Sequence, residues 1–193
     1  MPKDIEGLSD ESLFVRICQG EEELYRILFD RYKRPLARLI ARMTGRTDDL
    51  EDLVADVFLI AYQKKSQYRQ SGSLKSWLYR IATNRARQYL RRQRFRRRAM
   101  TDLFAANELI HSSGNPSANE LERQESKKLV MEFLSKMRPK LREVFVLRDL
   151  EELSYEEIAG IVDCPVGTVK SRLNAARKMM LKLAKESLNS REA

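Results

Sequence analysis

The stretch Leu153-Ser154-Tyr155-Glu156-Glu157-Ile158 marks the start of a helix almost by itself. Ser154 is spaced as an N-cap, Glu157 as the residue that closes a capping box, and Leu153 and Ile158 as the two ends of a hydrophobic staple. This predicts a short helix from Tyr155 to about Val162 and a turn at Asp163-Cys164. Pro165 then falls at the first position of a second helix, where its missing N–H costs nothing. Along that helix Val169, Leu173, Ala176, Met180 and Leu183 alternate four and three apart and form one apolar face. The opposite face presents Lys170, Ser171, Asn174, Ala175 and Lys178, and the six basic residues from Lys170 to Lys185 have no acid among them. Two helices joined by a tight turn, the second basic on its free face, form the helix-turn-helix pattern. An ordinary helical hairpin shares the periodicity; the caps, the turn and the unbroken basic face favour DNA.

The remaining composition fits a helical protein. Seven glycines and five prolines in 193 residues are too few for a turn-rich β fold, so the expected class is all-α. Cys18 and Cys164 lie far apart and form no CxxC pair, and His111 is the only histidine. A thiolate or histidine metal site and a catalytic triad therefore lack their parts, and neither a metal nor a cofactor is expected. No apolar run is long enough for a membrane span, and the N-terminus has no signal-peptide core, so no membrane insertion and a cytoplasmic setting are expected. The net charge of +9 asks for a polyanionic partner, nucleic acid above all.

Charge divides the chain into three. Residues 1–98 carry 22 basic and 13 acidic side chains, residues 99–126 one and five, and residues 127–193 fourteen and ten. The middle segment also holds the breaker cluster Ser112 to Ser117 and reads as an acidic flexible linker between two small helical domains. In the first domain Leu24, Ile27, Leu28, Leu36, Leu39, Ile40 and Met43 keep helical spacing, with Pro35 expected to kink or interrupt the helix and Gly45 to end it. Asp48 and Glu51 read as the capping box of the next helix, whose buried stripe is Leu50, Leu53, Val54, Val57, Phe58 and Ala61. Tyr68–Gly72 reads as a loop, and Ser73 as the cap of a long helix from about Leu74.

That long helix turns from apolar to cationic. Arg85, Arg87, Arg91, Arg92, Arg94, Arg96, Arg97 and Arg98 fall within 14 residues without an acid. Cations suit a helix C-terminus, but eight like charges repel one another, and phosphate contact is the better reading. Tyr68, Trp77, Tyr79 and Tyr89 lie near enough to stack on unpaired bases, although a lone Trp77 also suits a core. Asp48 and Asp49 are explained by the helix dipole, whereas Asp52 and Asp56 share a face and need another account. With no histidine beside them, a basic protein partner suits that pair better than a metal.

Three segments in this order resemble the extracytoplasmic-function sigma factors, the smallest members of the bacterial main sigma family. Leu150–Ala159 followed by Cys164–Leu173 looks like that family's region four, Asp49–Phe58 resembles the polymerase-binding helix of region two, and Ser76–Asn84 is similar to the start of its promoter-reading helix. The resemblance covers residues 10–98 and 127–185. It implies region two in 1–98, a linker in 99–126 and region four in 127–193.

By that resemblance Asp52, Leu53, Asp56 and Phe58 match the face that docks on core RNA polymerase. The loop of Tyr68, Arg69, Gln70, Ser71, Gly72, Ser73, Leu74, Lys75 and Ser76, with Trp77, Arg80, Asn84, Arg87 and Arg91, matches the surface that takes unpaired DNA of the minus-ten element. Lys170, Ser171 and Asn174 match positions entering the major groove at the minus-thirty-five element; Thr168 and Arg172 match phosphate-side positions, and Ala175, Arg177 and Lys178 adjoin them. The resemblance also implies an anti-sigma partner, a stress or envelope-type regulon, and no enzymatic activity. Ala175 departs from the arginine many members carry, which removes a guanine contact worth about 1–3 kcal/mol of discrimination; Asn174 can pair with an adenine edge instead. The linker must span roughly 50 Å between the two DNA elements, within reach of a chain extending to roughly 90 Å. Two other readings remain: a stand-alone helix-turn-helix regulator, which leaves the acidic and arginine helices unassigned, and a basic RNA-binding protein.

Overall fold

The computed structural model describes residues 7–45, 48–68, 73–100 and 118–192. Among them are eight α-helices and no strand: α1 (Asp10–Cys18), α2 (Tyr25–Thr44), α3 (Leu50–Gln63), α4 (Leu74–Met100), α5 (Ala118–Lys136), α6 (Pro139–Phe145), α7 (Tyr155–Val162) and α8 (Val166–Glu192). The all-α expectation holds.

In the first bundle α2 is the central element and packs on α1, α3 and α4. It runs unbroken through Pro35, against the expected interruption. A proline inside a helix costs about 3 kcal/mol, but Leu28, Leu36, Leu39 and Ile40 bury one stripe on both sides of it, at about 1.5–3 kcal/mol each. Burial wins. Gly45 ends the helix in the left-handed region at φ 69°, its N–H on the Ala41 carbonyl at 2.9 Å. The capping box expected at Asp48 and Glu51 is absent. Asp49 occupies the N-cap without a side-chain cap bond, because its carboxylate accepts from the Tyr89 hydroxyl at 2.8 Å and ties α3 to α4. Ser73 caps α4 as expected, its Oγ accepting from the Ser76 N–H at 3.1 Å.

The second bundle holds α5 to α8, with α6 packed on α8 and a π-helical turn over Val146–Leu150. The capping box of α7 forms as the sequence requires. Ser154 Oγ accepts from the Glu157 N–H at 3.1 Å, and Glu157 Oε2 accepts from the Ser154 N–H at 2.8 Å. Asp163 turns the chain at φ 54°, a conformation aspartate tolerates better than most residues. Pro165 lies one residue earlier than expected. It precedes α8, and its carbonyl accepts from Thr168 and Val169 at 2.8 and 3.1 Å, the N-cap role.

Helices α4 and α5 both extend into the segment assigned to the linker, ending at Met100 and starting at Ala118. The breaker cluster Ser112–Ser117 and the loop residues Arg69, Gln70, Ser71 and Gly72 lie outside the described residues. The two bundles pack directly on one another, and one buried cluster runs from Leu13 in α1 to Ala176 in α8. Polar groups seal the seam. Glu151 is buried between Arg42 Nη1 at 2.6 Å and the Tyr79 hydroxyl at 2.8 Å, while Lys75 donates to its carbonyl at 3.1 Å. Arg142, also buried, donates to the carbonyls of Met43 at 2.8 Å and Ser135 at 2.8 Å.

Candidate nucleic-acid interface

The helix-turn-helix leaves one face of α8 open. Its inner face is Val169, Leu173 and Ala176, all buried, and this fixes the rotation of the helix. Lys170, Ser171, Asn174, Ala175, Arg177 and Lys178 are consequently exposed, with Thr168 and Arg172 half-buried at its edge. Lys170 and Arg148 both lie over the Tyr155 ring, at 5.6 and 5.1 Å, so α7 restrains the first basic residue of the reading face. Arg177 forks onto the Asp149 carboxylate, with Nε 3.0 Å from Oδ2. That pair raises the pKa of Arg177 and spends its fork inside the protein.

On the first bundle, α4 brings together most of the second residue set. Leu74, Leu78, Tyr79, Ala82 and Ala86 point inward, leaving Arg80, Asn84, Arg87 and Arg91 exposed along one side. Leu74 is therefore a core residue, not a surface one. Tyr68 and Trp77 stack 5.1 and 5.3 Å from the buried Phe14 ring and 5.4 Å from each other. They form an aromatic wall beside Ser73 and Ser76.

This surface faces α7 across a cavity of about 770 Å³ lined by Tyr68, Ser73, Ser76, Trp77, Arg80 and Asn84 on one side and Glu156 and Glu157 on the other. Ser76 Oγ donates to Glu157 Oε1 at 2.5 Å, and Arg87 reaches the Val162 carbonyl at 3.4 Å and the buried Glu143 carboxylate at 2.7 Å. Acidic side chains of α7 thus stand where the sequence reading places unpaired DNA. Burial works against ionised Glu157, but hydrogen bonds from Ser76 and Ser154 outweigh it and hold its pKa below the ordinary value.

The third set divides by helix geometry. On α3 the period of 3.6 turns Leu53 and Phe58 into the core, Phe58 packing on Phe29 at 4.6 Å, so neither presents a surface to a partner. Asp52 is exposed, and Asp56 is ion-paired with Arg85. The exposed apolar neighbour on this face is Leu59, 55% exposed, which the sequence reading missed although it lies seven residues after Asp52. Glu143, Glu151 and Arg142 were missed too, and nothing in their local spacing marks them.

Two linked helical bundles, one with a cationic helix flanked by aromatics and the other with a free helix-turn-helix face, define a two-site DNA-binding protein. Residues 28–96 match sigma-70 region 2 and residues 127–180 match sigma-70, region 4. The chain is 36% identical to the ECF RNA polymerase sigma-E factor of Haemophilus influenzae over 91% of its length and 95% of that protein. It is also 36% identical to that of Escherichia coli K12 over 90% and 93%. CnrH in complex with the cytosolic domain of CnrY superposes with a TM-score of 0.68 at 25% identity, covering 92% of this chain and 97% of that one. The sigma factor RpoE of Bartonella quintana, in complex with the anti-sigma factor NepR, gives 0.65 at 26%, covering 83% and 96%. The chain belongs to the extracytoplasmic-function sigma factors, and its function is to direct promoter-specific transcription initiation. Among the described residues no helix is long and apolar enough to cross a membrane.

Proposed function

We propose that residues 1–98 and 127–193 read two promoter elements on behalf of core RNA polymerase in the bacterial cytoplasm. Lys170, Ser171 and Asn174 enter the major groove at the minus-thirty-five element, with Thr168 and Arg172 on phosphates. Trp77, Arg80, Asn84, Arg87 and Arg91, with the residues from Tyr68 to Ser76 other than the buried Leu74, take the unpaired minus-ten strand. The exposed face of α3, Asp52 with Asp56 and Leu59, docks on polymerase, while Leu53 and Phe58 support it from the core. Polymerase then supplies all catalysis. A stress or envelope-type regulon is the reading that the sigma-E relatives favour.

The observation that carries this is the pairing of two separate faces, one exposed, polar and basic on α8 and one cationic with a half-buried aromatic wall on α4. In the closed packing Glu156 and Glu157 cover the second face, so a DNA strand reaches it only after α7 moves away. If α4 and α5 keep their observed ends, the chain between them reaches roughly 58 Å extended, still enough for the roughly 50 Å between elements. An anti-sigma partner that holds the closed form fits the two related complexes. In vitro transcription from a randomised promoter library tests the assignment. Transcripts should require both this chain and core polymerase and select two elements about one and a half DNA turns apart. DNA selection without core polymerase would favour a stand-alone regulator.

A further inference from the structure

A second cleft, of about 300 Å³, opens where the end of α2, the middle of α4 and the start of α6 meet. Its walls are aliphatic: Met43, Ala86, Leu90 and Pro139. Its charged lining is mainly cationic, with Glu143 the one acid among the described residues. Glu143 is already paired with Arg87, which leaves Arg91, Arg94, Lys140 and Arg142. Arg142 is only 9% exposed and donates its terminal nitrogens to neutral carbonyls; among the described residues its charge has no ion-pair partner and its buried Nε no hydrogen-bond partner. Burial together with the nearby charge of Arg94 pushes its pKa down. A buried cation facing a like charge is costly unless an anion joins them.

We propose that this cleft binds a small amphipathic anion, an apolar chain ending in a carboxylate or phosphate monoester. At interior packing density the volume takes on the order of ten methylene-sized groups. The head neutralises Arg94, Lys140 and Arg142, and the chain covers Leu90 and Pro139. A peptide fits less well, because its backbone amides would meet aliphatic walls and go unpaired. A nucleotide base finds few groups there to bond its edges. Met43, Ala86 and Leu90 belong to the first bundle and Pro139 to Glu143 to the second, so a bound ligand clamps the closed packing. The inference needs that packing alone, not the promoter assignment, and failure in the transcription assay leaves it intact.

Titration calorimetry of the full chain with octyl phosphate, below its micelle concentration, tests it. Octyl phosphate should bind saturably at one site, at least about tenfold more tightly than octanol or inorganic phosphate. Lys140→Glu, on an exposed position, should weaken it about tenfold, and Leu90→Trp, which fills the cleft, should abolish it while circular dichroism stays helical. The absence of saturable binding, equal binding of octanol, indifference to Lys140→Glu, or tighter binding of an acidic apolar peptide at the same site would each overturn the proposal.

Discussion

Glu143 is a buried acid at the seam, ion-paired with Arg87. Burial pushes the Glu143 carboxyl above its usual value, and the Arg87 guanidinium only partly offsets this. A carboxyl raised in the folded state contributes most below its unfolded value, near 4.5, and that contribution is lost as pH rises through the folded value. Glu143→Gln should therefore raise the melting temperature at neutral pH and flatten its pH dependence above 4.5; a lower melting temperature would show that the Arg87 pair outweighs burial. Asn174 bears on specificity alone. Asn174→Ala should cost about 1–3 kcal/mol of discrimination at a single upstream base pair, read from binding across a base-substitution series, with little change elsewhere. Both residues were visible in the sequence, but only Asn174 advertised itself, because its role follows from helix period and exposure.

At the scale of elements, the helices carry their own instructions to different degrees. The start of helix α7 was legible, since cap and box are local and both form within four residues. Ser154→Ala should cost about 1 kcal/mol and lower the melting temperature by roughly 2–4 °C, measured by calorimetry. Helix α3 was legible in its buried stripe and not in its start. Its first turn answers to Tyr89, forty residues away, and a local rule cannot see that competitor. The same limit explains Leu53 and Phe58: a motif match names residues, whereas the helix period decides which of them face a partner. Asp52→Lys should abolish polymerase binding in a pull-down while leaving helicity unchanged.

For the whole molecule the decisive feature is the seam. Removing Glu151, as in Glu151→Ala, leaves Arg42 and Tyr79 without their shared acceptor and should cost the closed packing about 2 kcal/mol. Small-angle scattering should show a larger radius of gyration, and binding to unpaired promoter DNA should tighten. Acid should act on the same seam through Glu157. A carboxyl depressed in the folded state stabilises above its unfolded value near 4.5, and this is lost as pH falls through the lower folded value. Amides of α7 should then exchange faster below about pH 4.5, and Glu157→Gln should remove that dependence.

The all-helical class, the helix-turn-helix and the two cationic faces followed from the sequence alone, because periodicity, caps and charge runs act over one or two helical turns. The packing of α7 across α4, the burial of Glu151 between Arg42 and Tyr79, and the cleft around Arg142 were decided by the tertiary structure. Those contacts join residues about 70 to 110 positions apart, and no local pattern encodes which distant partner a buried charge will find.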